Sequence, residues 1–500
     1  MRQAAAAEIG RGELRSVVGK NKGGLANRRR RNLWIAFGVT LAVLLAAGTG
    51  VLLTVKPWTD EFRHGGRTVA APPTPVRPFP QVAPAPSNAP APSPAGIAAA
   101  LAPVIGNPDL GAFAGQVTDA DSATVLWSGD PGKPMIPSST AKILTTAAAL
   151  LTLPADHRLI TKVVAGTAPN ELVLVGGGDP TLTAEPEGKG YYPNGAKLAD
   201  LVSQIKNSGR AVDTIVVDTS AYTGPTMAKG WDPIDIGDGS IAPMESVMID
   251  GGRLQPLVEY SPRTPTPALD AGRRLATELG LDPARVRTGT AAPGAAEVAS
   301  VRSAPLRDRL RDMMVYSDNI LAEAVGREIS VATGGEASFS GAVAAVNTAL
   351  GKAGFDLTGL DMHDNSGLSV DDRIPARLLD RVVATAAKPN ASSAVQPAGT
   401  MARPENDRLA ATLAPLLDAL PIAGATGSLT SRYVDHNRQA AGFVRAKTGT
   451  LSVSSALVGY VLDADGRVLT FALMSNDRPP EVSRPALDAI AGTLRNCGCS

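Results

Sequence analysis

The stretch Pro137–Leu153, PSSTAKILTTAAALLTL, places two serines and one lysine at the head of a long, nearly uncharged apolar segment. The apolar run predicts a buried helix, and a lysine ammonium taken out of water loses its hydration at a high free-energy cost. Residues three apart share one face of a helix, so Ser139 and Lys142 are predicted to be neighbours. A serine hydroxyl is a weak nucleophile until a base takes its proton, and a desolvated, neutral lysine can be that base.

This S-x-x-K pattern is weak evidence by itself, because Ser203–Lys206 matches it within an amphipathic helical segment typical of a protein surface. Two further motifs strengthen it. Ser317 and Asn319 form an S-x-N motif after a predicted helix, and Lys447–Gly449 is the only K-T-G of the chain, within a predicted strand. Taken singly, the first could cap a helix and the second could place a charge on an edge strand. Three motifs in this order and in these contexts indicate one catalytic site.

With these motifs the chain resembles the serine acyltransferases that include penicillin-binding proteins and serine β-lactamases. It is most similar to the D-alanyl-D-alanine carboxypeptidase/endopeptidase family, the low-molecular-mass class C penicillin-binding proteins. A long insertion between the first two motifs and the runs LVLVGGGDPTL, HDNSGLS, LPIAGATGSL and VRAKTGTL carry this closer likeness, which covers roughly Ile97 to Leu494.

The resemblance implies an α+β fold: the serine β-lactamase/penicillin-binding-protein-like transpeptidase fold, an antiparallel sheet with helices, carrying one inserted mixed α/β domain. The residue pattern agrees, since a hairpin over 115–127, helical segments over 305–420 and closing strands with a helix predict one sheet built by both ends of the domain. Only 178 positions separate Ser139 from Ser317, so we expect a single inserted domain. The expected boundaries are a catalytic domain at 97–158 and 301–500 and an inserted domain at 159–300.

The resemblance also implies roles in cleaving the bond between the last two D-alanines of a peptidoglycan stem peptide. Ser139 would attack the penultimate D-alanine carbonyl with neutral Lys142 as general base, giving an acyl-enzyme that water hydrolyses. Lys447 would keep Lys142 neutral by like-charge repulsion and attract the terminal carboxylate. Ser317 would bridge the two lysines and carry a proton to the leaving amine, while Asn319 would bind the substrate's amide oxygen. β-Lactams mimic the D-alanyl-D-alanine end and would be trapped by the same serine.

The K-T-G strand would supply most of the substrate-binding groups. The hydroxyls of Thr448 and Thr450 would hold the terminal carboxylate, and Gly449 would let a substrate backbone approach the strand closely. The oxyanion hole would consist of the backbone N–H groups of Ser139 and Thr450. Carboxypeptidase trimming and endopeptidase cleavage of crosslinks present the same kind of bond, so the sequence leaves their balance open.

Two further sets of residues have weaker signals. Asp364, Ser366 and Gly367 in HDNSGLS could shape the floor of the cleft, although a tight turn explains them equally well. Trp231 and Asp235 in KGWDPIDIGDG could reach from the inserted domain toward the substrate's side chain, although a tryptophan is more often part of a core.

The first hundred residues predict a membrane-attached protein. Residues 1–32 carry nine Lys or Arg against Glu8 and Glu13, and 33–55 is an uncharged apolar stretch long enough to span a bilayer. The positive-inside rule then predicts a cytoplasmic basic tail, a single transmembrane anchor at 33–55 and a catalytic part outside the cytoplasm, in the cell envelope. A cleaved signal peptide is the alternative. The Pro/Ala-rich stretch within 56–96 predicts an extended linker.

Several other classes are not favoured. The four histidines are scattered and the two cysteines, Cys497 and Cys499, lie at the very end, so no metal or other cofactor is predicted. The basic tail abuts the apolar stretch, which favours a topology signal over nucleic-acid binding. A β-lactamase or esterase of the same superfamily remains an alternative, as does a non-catalytic wall-binding protein. A Ser-His-Asp hydrolase is disfavoured because the G-x-S-x-G elbow is absent.

Overall fold

The computed structural model describes residues 23–57, 89–185, 189–389 and 405–498. The chain divides into two units, Met1–Ala83 and Pro84–Ser500. Most of the predicted basic tail and linker, residues 1–22 and 58–88, and Cys499 lie outside the described residues.

In the first unit, helix α1 (Gly23–Val55) continues from the basic residues into the apolar stretch. Its part Phe37–Val55, 19 residues long, is long and apolar enough to cross a membrane, and none of it is buried. At about 1.5 Å per residue, this length matches the hydrocarbon thickness of a bilayer of about 30 Å.

In the second unit, one five-stranded antiparallel sheet combines residues from both ends of the chain, as the sequence predicted. Its strands are β1 (Ala112–Asp119), β2 (Val125–Gly129), β10 (Val444–Leu451), β11 (Ser454–Leu462) and β12 (Val468–Asn476), in the order β10-β11-β12-β1-β2. The first and last strands in sequence meet directly, since Ala112 pairs with Asn476.

Alternate side chains of this sheet face two different cores, because successive strand residues point to opposite faces. Phe471 and Leu473 pack with α2 (Pro94–Ile105) and α13 (Pro480–Asn496). Ala472 and Met474 face the larger core, which is helical. The helices contributing to that core are α3 (Lys142–Thr152), α7 (Leu306–Val315), α8 (Asn319–Ala332), α9 (Phe339–Lys352), α10 (Ala376–Ala387), α11 (Glu405–Leu413) and α12 (Pro415–Asp418). The short strands β3 (Pro134–Met135) and β9 (Ile374–Pro375) pair beside it.

The insertion forms its own mixed sheet. Its strands are β4 (Ile160–Ala165), β5 (Glu171–Val175), β6 (Thr214–Asp218), β7 (Arg287–Thr288) and β8 (Glu297–Arg302), in the order β7-β6-β5-β4-β8. Helices α4 (Leu198–Asn207) and α6 (Pro267–Leu279) pack on it around a separate aliphatic core, and the single turn α5 (Ile234–Gly237) lies in the segment between β6 and α6. The expected boundary between 300 and 301 falls inside β8, so this sheet ends two residues later than predicted.

Candidate active site

The segment that contains Ser139, the predicted nucleophile, is a tight turn rather than the first turn of an α-helix. Residues Ser138–Ala141 form a 3-10 turn, and α3 starts only at Lys142, three residues later than the sequence predicted. Ser138 has a positive φ of 49°, a conformation that surrounding structure must enforce in a non-glycine residue. The tightness of the turn places Ser139 at the cleft surface while Lys142 is fully buried.

Lys142 is the centre of a converging set of acceptors. Its Nζ donates hydrogen bonds to Ser139 Oγ at 2.9 Å, Asn319 Oδ1 at 2.7 Å and the Ser366 carbonyl at 2.7 Å. No carboxylate lies within ion-pair distance of this nitrogen among the described residues. The predicted adjacency of Ser139 and Lys142 is therefore observed, with the lysine aimed at the serine by two other groups.

The second lysine is brought to the same place by strand β10. Lys447, also fully buried, donates from Nζ to Ser317 Oγ and to the Thr448 carbonyl, both at 2.8 Å. Ser317 has φ of 56°, so the S-x-N loop is held in a left-handed conformation that costs a non-glycine residue of order 1 to 3 kcal/mol. The structure thus brings together all five motif side chains: Ser139, Lys142, Ser317, Asn319 and Lys447.

The two lysines do not have the same electrostatic surroundings. Burial lowers the pKa of Lys142 to about 8, against the opposing charges of Asp364, Asp318, Glu323 and Asp372. Burial, together with the charge of Lys142, lowers the pKa of Lys447 well below its usual range. The carboxylates favour a proton on Lys142, and the charge of Lys142 disfavours one on Lys447. Which of the two lysines carries the ammonium in the free enzyme stays a prediction.

Asp318, between the two residues of the S-x-N motif, has partners that the sequence analysis missed. Its carboxylate accepts hydrogen bonds from Tyr192 Oη at 2.8 Å and Arg253 Nη2 at 3.2 Å, both from the insertion, and from the Leu321 N–H at 2.9 Å. Burial would raise the pKa of Asp318, but the charges of Arg253 and Arg263 outweigh it and hold that pKa below its usual value. No short-range sequence signal links residues 192 and 253 to 318.

A cleft of about 630 Å³ opens over these groups. Ser139, Ser317, Asn319, Thr448 and Thr450 line it, so the predicted substrate-binding hydroxyls face the same space as the nucleophile. Both hydroxyls have partners: Thr448 Oγ1 lies 2.6 Å from Ser428 Oγ, and Thr450 Oγ1 accepts from Arg484 Nε at 3.2 Å. An oxyanion hole at the N–H groups of Ser139 and Thr450 stays a prediction.

The structure adds a physical reason for Gly449 and partners for Asn319. A Cβ on Gly449 would lie 2.6 Å from the Pro137 carbonyl oxygen, so the missing side chain lets β10 pack against the turn that carries Ser139. The role of Gly449 in admitting a substrate backbone stays a prediction. Asn319 has partners at both ends of its amide, because Nδ2 donates to the Ser240 carbonyl at 3.1 Å while Oδ1 faces Lys142. Nδ2 carries a second N–H, so the predicted hydrogen bond to a substrate oxygen does not require this contact to break.

The HDNSGLS run is a buried turn whose Ser366 carbonyl accepts a hydrogen bond from Lys142. The Asp364 carboxylate accepts the N–H groups of Ser366, Gly367 and Ser369 at 2.9, 2.6 and 2.8 Å. Gly367, with φ of 79°, lines the cleft and is pressed against the Ser138 carbonyl, where a Cβ could not fit. Of the two explanations for this run, the tight turn accounts for Asp364 and Ser366, which are fully buried and do not line the cleft.

Contacts from Trp231 and Asp235 to a substrate side chain stay a hypothesis, and both residues have other partners in the structure. Trp231 is buried against Phe339 and donates from Nε1 to Asp364 Oδ2 at 2.7 Å. Asp235 accepts the N–H groups of Ser240 and Ile241 with its backbone carbonyl, and neither Trp231 nor Asp235 lines the cleft. The second S-x-x-K match, Ser203–Lys206 (the decoy motif), lies on α4. Its side-chain hydrogen bonds among the described residues go from Ser203 to the Ala199 carbonyl and from Lys206 to the Glu278 carbonyl, both at exposed positions.

Within the described residues no three His, Cys, Asp or Glu side chains are grouped so that they could hold a metal ion. Cys497 is disulfide-bonded and packs in the core beside α13, away from the cleft. The groups that the structure brings together at the site are a serine, two buried lysines and a set of hydrogen-bond donors.

A sheet made by both chain ends, with S-x-x-K, S-x-N and K-T-G side chains converging in one cleft, defines a serine acyltransferase of the penicillin-binding class. The chain belongs to the D-Ala-D-Ala carboxypeptidase 3 (S13) family, which it matches over residues 97–265 and 258–497. This confirms the resemblance, the fold class and the enzyme class predicted from the sequence: the protein is a serine-type D-Ala-D-Ala carboxypeptidase.

Curated relatives and solved structures agree with this assignment. The chain is 47% identical over 477 residues to carboxypeptidase DacB of Mycolicibacterium smegmatis, covering 94% of this chain and 99% of the relative. It is 48% identical over 443 residues to a carboxypeptidase of Mycobacterium tuberculosis, covering 88% and 92%. Penicillin-binding protein 4 (dacB) from Haemophilus influenzae has a TM-score of 0.62 at 18% identity, covering 80% of this chain and 98% of that protein, and shows the shared fold.

Proposed function

We propose that the carboxypeptidase reaction proceeds through an acyl-enzyme on Ser139 with Lys142 as the general base. The observation that carries this proposal is the 2.9 Å hydrogen bond between Lys142 Nζ and Ser139 Oγ inside a fully buried lysine environment. A base within hydrogen-bond reach of the proton it abstracts, with a pKa near the working pH, is what general base catalysis requires.

The reaction has two steps. Ser139 Oγ forms a bond to the penultimate D-alanine carbonyl carbon while its proton passes to Lys142 Nζ, and the oxyanion faces the proposed hole at Ser139 and Thr450. The C–N bond then breaks, and the proton held by Lys142 passes through Ser317, which is hydrogen-bonded to Lys447, to the leaving D-alanine amine, so that Lys142 is neutral again. Neutral Lys142 then takes a proton from water as the water oxygen attacks the ester carbonyl, and it returns that proton to Ser139 Oγ when the ester bond breaks.

Substrate binding would raise the pKa of Lys447, which burial lowers in the free enzyme. The Thr448 and Thr450 hydroxyls line the cleft beside the K-T-G strand, which supports their proposed role in binding a terminal carboxylate. A carboxylate arriving there favours an ammonium on Lys447, and like-charge repulsion then favours neutral Lys142. Substrate binding would in this way move the proton off the base that attacks it.

A fluorescent penicillin tests the proposal directly. The full-length enzyme in detergent would be incubated with the drug, and the labelled peptide mapped by mass spectrometry. We expect a stable adduct on the peptide that contains Ser139, together with release of D-alanine from a stem pentapeptide. Release of D-alanine without any adduct on that peptide would contradict the proposed acyl-enzyme. The Haemophilus influenzae protein has been solved with a β-lactam, which supports the choice of probe.

The rate of acylation is expected to rise with pH around a midpoint near pH 8 and to reach a plateau above about pH 9. The base acts only when neutral, and burial lowers the pKa of Lys142 to about 8. The neutral fraction of such a group grows about tenfold between pH 7 and pH 9. Stopped-flow acylation by an uncharged, activated ester would show this, and a flat profile over the range would contradict the assignment of the base.

An Arg484→Gln variant is expected to lose about tenfold in kcat/KM for peptides with a free C-terminal carboxylate, the size of one hydrogen bond to a charged group. The Arg484 guanidinium donates to Thr450 Oγ1 and lines the cleft, so it can add a charge to the carboxylate site. Peptides ending in a carboxamide are expected to lose much less. Arg478→Gln is the matched control, because that exposed arginine bonds to backbone carbonyls outside the cleft. Equal losses for both peptides would exclude this role.

We also propose that Phe37–Val55 anchors the protein in the cell membrane, with the catalytic unit outside the cytoplasm and acting on peptidoglycan. Support comes from the length and apolar character of this helix and from the basic residues that precede it. The full-length protein should stay in the membrane fraction at high salt and be released by detergent. Its recovery from the medium with residues before 56 removed would favour a cleaved signal instead.

A further inference from the structure

We propose that one segment of the insertion, residues 229–240 (the strap), positions the general base. Trp231 and the Ser240 carbonyl would hold the two groups that accept the other hydrogen bonds of Lys142 Nζ. The proposal builds on the role of Lys142 as base. It assigns a part in the chemistry to a segment that does not itself contact Ser139.

Two acceptors fix the direction of the Lys142 side chain. Within the described part of the chain, the hydrogen bonds of its Nζ other than that to Ser139 Oγ go to Asn319 Oδ1 and the Ser366 carbonyl, each at 2.7 Å. A long flexible side chain points at one hydroxyl only if its other donors are held in place. The placement of those two oxygens therefore decides where the lysine points.

The Ser366 carbonyl is set by the turn around Asp364, and the strap closes that turn from outside. Trp231 Nε1 donates to Asp364 Oδ2 at 2.7 Å, and Ser369 Oγ donates to the Lys229 carbonyl at 2.8 Å. Asp364 and Ser369 are fully buried and Trp231 is 8% exposed, so water does not replace these contacts readily.

The Asn319 oxygen is set by the other end of the same strap. Asn319 Nδ2 donates to the Ser240 carbonyl at 3.1 Å, and this bond turns Oδ1 toward Lys142. An amide turned the other way would set its NH2 group against an ammonium donor. One strap thus holds both acceptors, Asn319 through Ser240 and Ser366 through Trp231.

Packing offers a competing explanation for Trp231, since its ring contacts Phe339 edge-to-face with centroids 5.2 Å apart in a small apolar cluster. Trp231→Phe separates the two roles because it keeps an aromatic ring and removes the N–H. Trp127→Phe is the matched control: Trp127 lies on β2, stacked on Phe113, and does not line the cleft.

The experiment measures acylation by a fluorescent penicillin, per titratable Ser139, as a function of drug concentration and pH. We expect Trp231→Phe to lower the acylation rate constant about tenfold and to leave the dissociation constant of the initial complex within twofold. The midpoint of the pH profile should move to lower pH, because the Ser366 carbonyl, no longer held in place by the Asp364 turn, stabilises the Lys142 ammonium less. The charged groups that act on Lys142 are Asp364, Asp318, Glu323, Asp372 and Lys447, and Trp231→Phe adds or removes none of them. Trp127→Phe should change neither quantity.

An unchanged rate, or a lowered rate with an unmoved midpoint, would overturn the inference. If Trp231→Phe does not fold, Ser369→Ala can replace it, because it removes the contact between Ser369 and the Lys229 carbonyl. This variant should lower the acylation rate constant about threefold and move the midpoint of the pH profile to lower pH. An unmoved midpoint would contradict the inference in this variant too. Added to a Lys142→Met variant, Trp231→Phe should cause no further loss of acylation. Losses that multiply would show that Trp231 acts by another route, whereas full activity of Lys142→Met alone would instead refute the base assignment.

Discussion

A Ser139→Ala variant is expected to form no adduct with a fluorescent penicillin and to release D-alanine from a stem pentapeptide at least about 10⁴-fold more slowly than the wild type. Removing the nucleophile of a serine hydrolase costs rates of this order, because the residual groups stabilise the transition state without an alternative covalent path. Within the described residues the side chain makes one hydrogen bond, from Lys142, so the fold should not depend on it.

Thermal unfolding and noncovalent binding are the checks on this variant. Its Tm should lie close to that of the wild type, and unreacted penicillin should still compete with the stem peptide for the cleft. Ser203→Ala, at the decoy S-x-x-K motif on α4, is the matched control and should keep full activity. An adduct that persists in Ser139→Ala would move the nucleophile elsewhere, with the peptide map showing where.

A Lys142→Met variant is expected to bind penicillin but to acylate about 10³-fold more slowly, within the range that a positioned general base contributes. Methionine has a similar length and fills the same buried space without a charge. The fold should tolerate it, since the ammonium has no ion-pair partner among the described residues. Removing the buried charge favours the folded variant. Asn319 Oδ1 and the Ser366 carbonyl lose their donor, however, and each unsatisfied buried group lowers the free energy of unfolding by about 1 to 3 kcal/mol.

Single-turnover acylation, corrected by active-site titration, measures this effect. Lys206→Met serves as control because this lysine bonds only the Glu278 carbonyl on the surface. The acylation rate of Lys142→Met should also lose its dependence on pH near 8. A variant that retains the wild-type profile would exclude Lys142 as the titrating base and leave Lys447 as the candidate.

The motifs could be predicted from sequence because each chemical role is local: Ser139 and Lys142 lie within one turn, and Lys447 to Thr450 lie on one strand. The antiparallel sheet could also be predicted, since a hairpin at one end and strands at the other have clear two-residue periodicity. The residues that set the geometry could not. Arg253 and Tyr192 reach Asp318 across 65 and 126 positions, and such contacts leave no pattern in a single sequence.

Some residue types had two uses that the sequence could not separate. Trp231 was open between a substrate contact and a core position, and in the structure it turns its N–H to Asp364. Gly449 is expected to admit a substrate backbone, and the structure adds that its missing side chain admits the Pro137 carbonyl. Which lysine carries the proton stays a prediction, because the four carboxylates whose charges favour it on Lys142 come from two separate segments and leave no local pattern.

The pairing of Ala112 with Asn476 has a consequence for biosynthesis. At about 5 to 20 residues per second, ribosomes add the 364 residues between these partners in roughly 20 to 70 s. Throughout that time β1 exposes an unpaired edge, while the insertion, whose strands all lie between 160 and 302, can already fold. Ser139 is made before Lys447, so for part of that interval the nascent chain carries Ser139 without the strand that completes the cleft. Reactivity toward penicillin that needs the whole cleft can therefore begin only after β10 has been made, and any chaperone that assists folding must protect the β1–β2 hairpin for that interval.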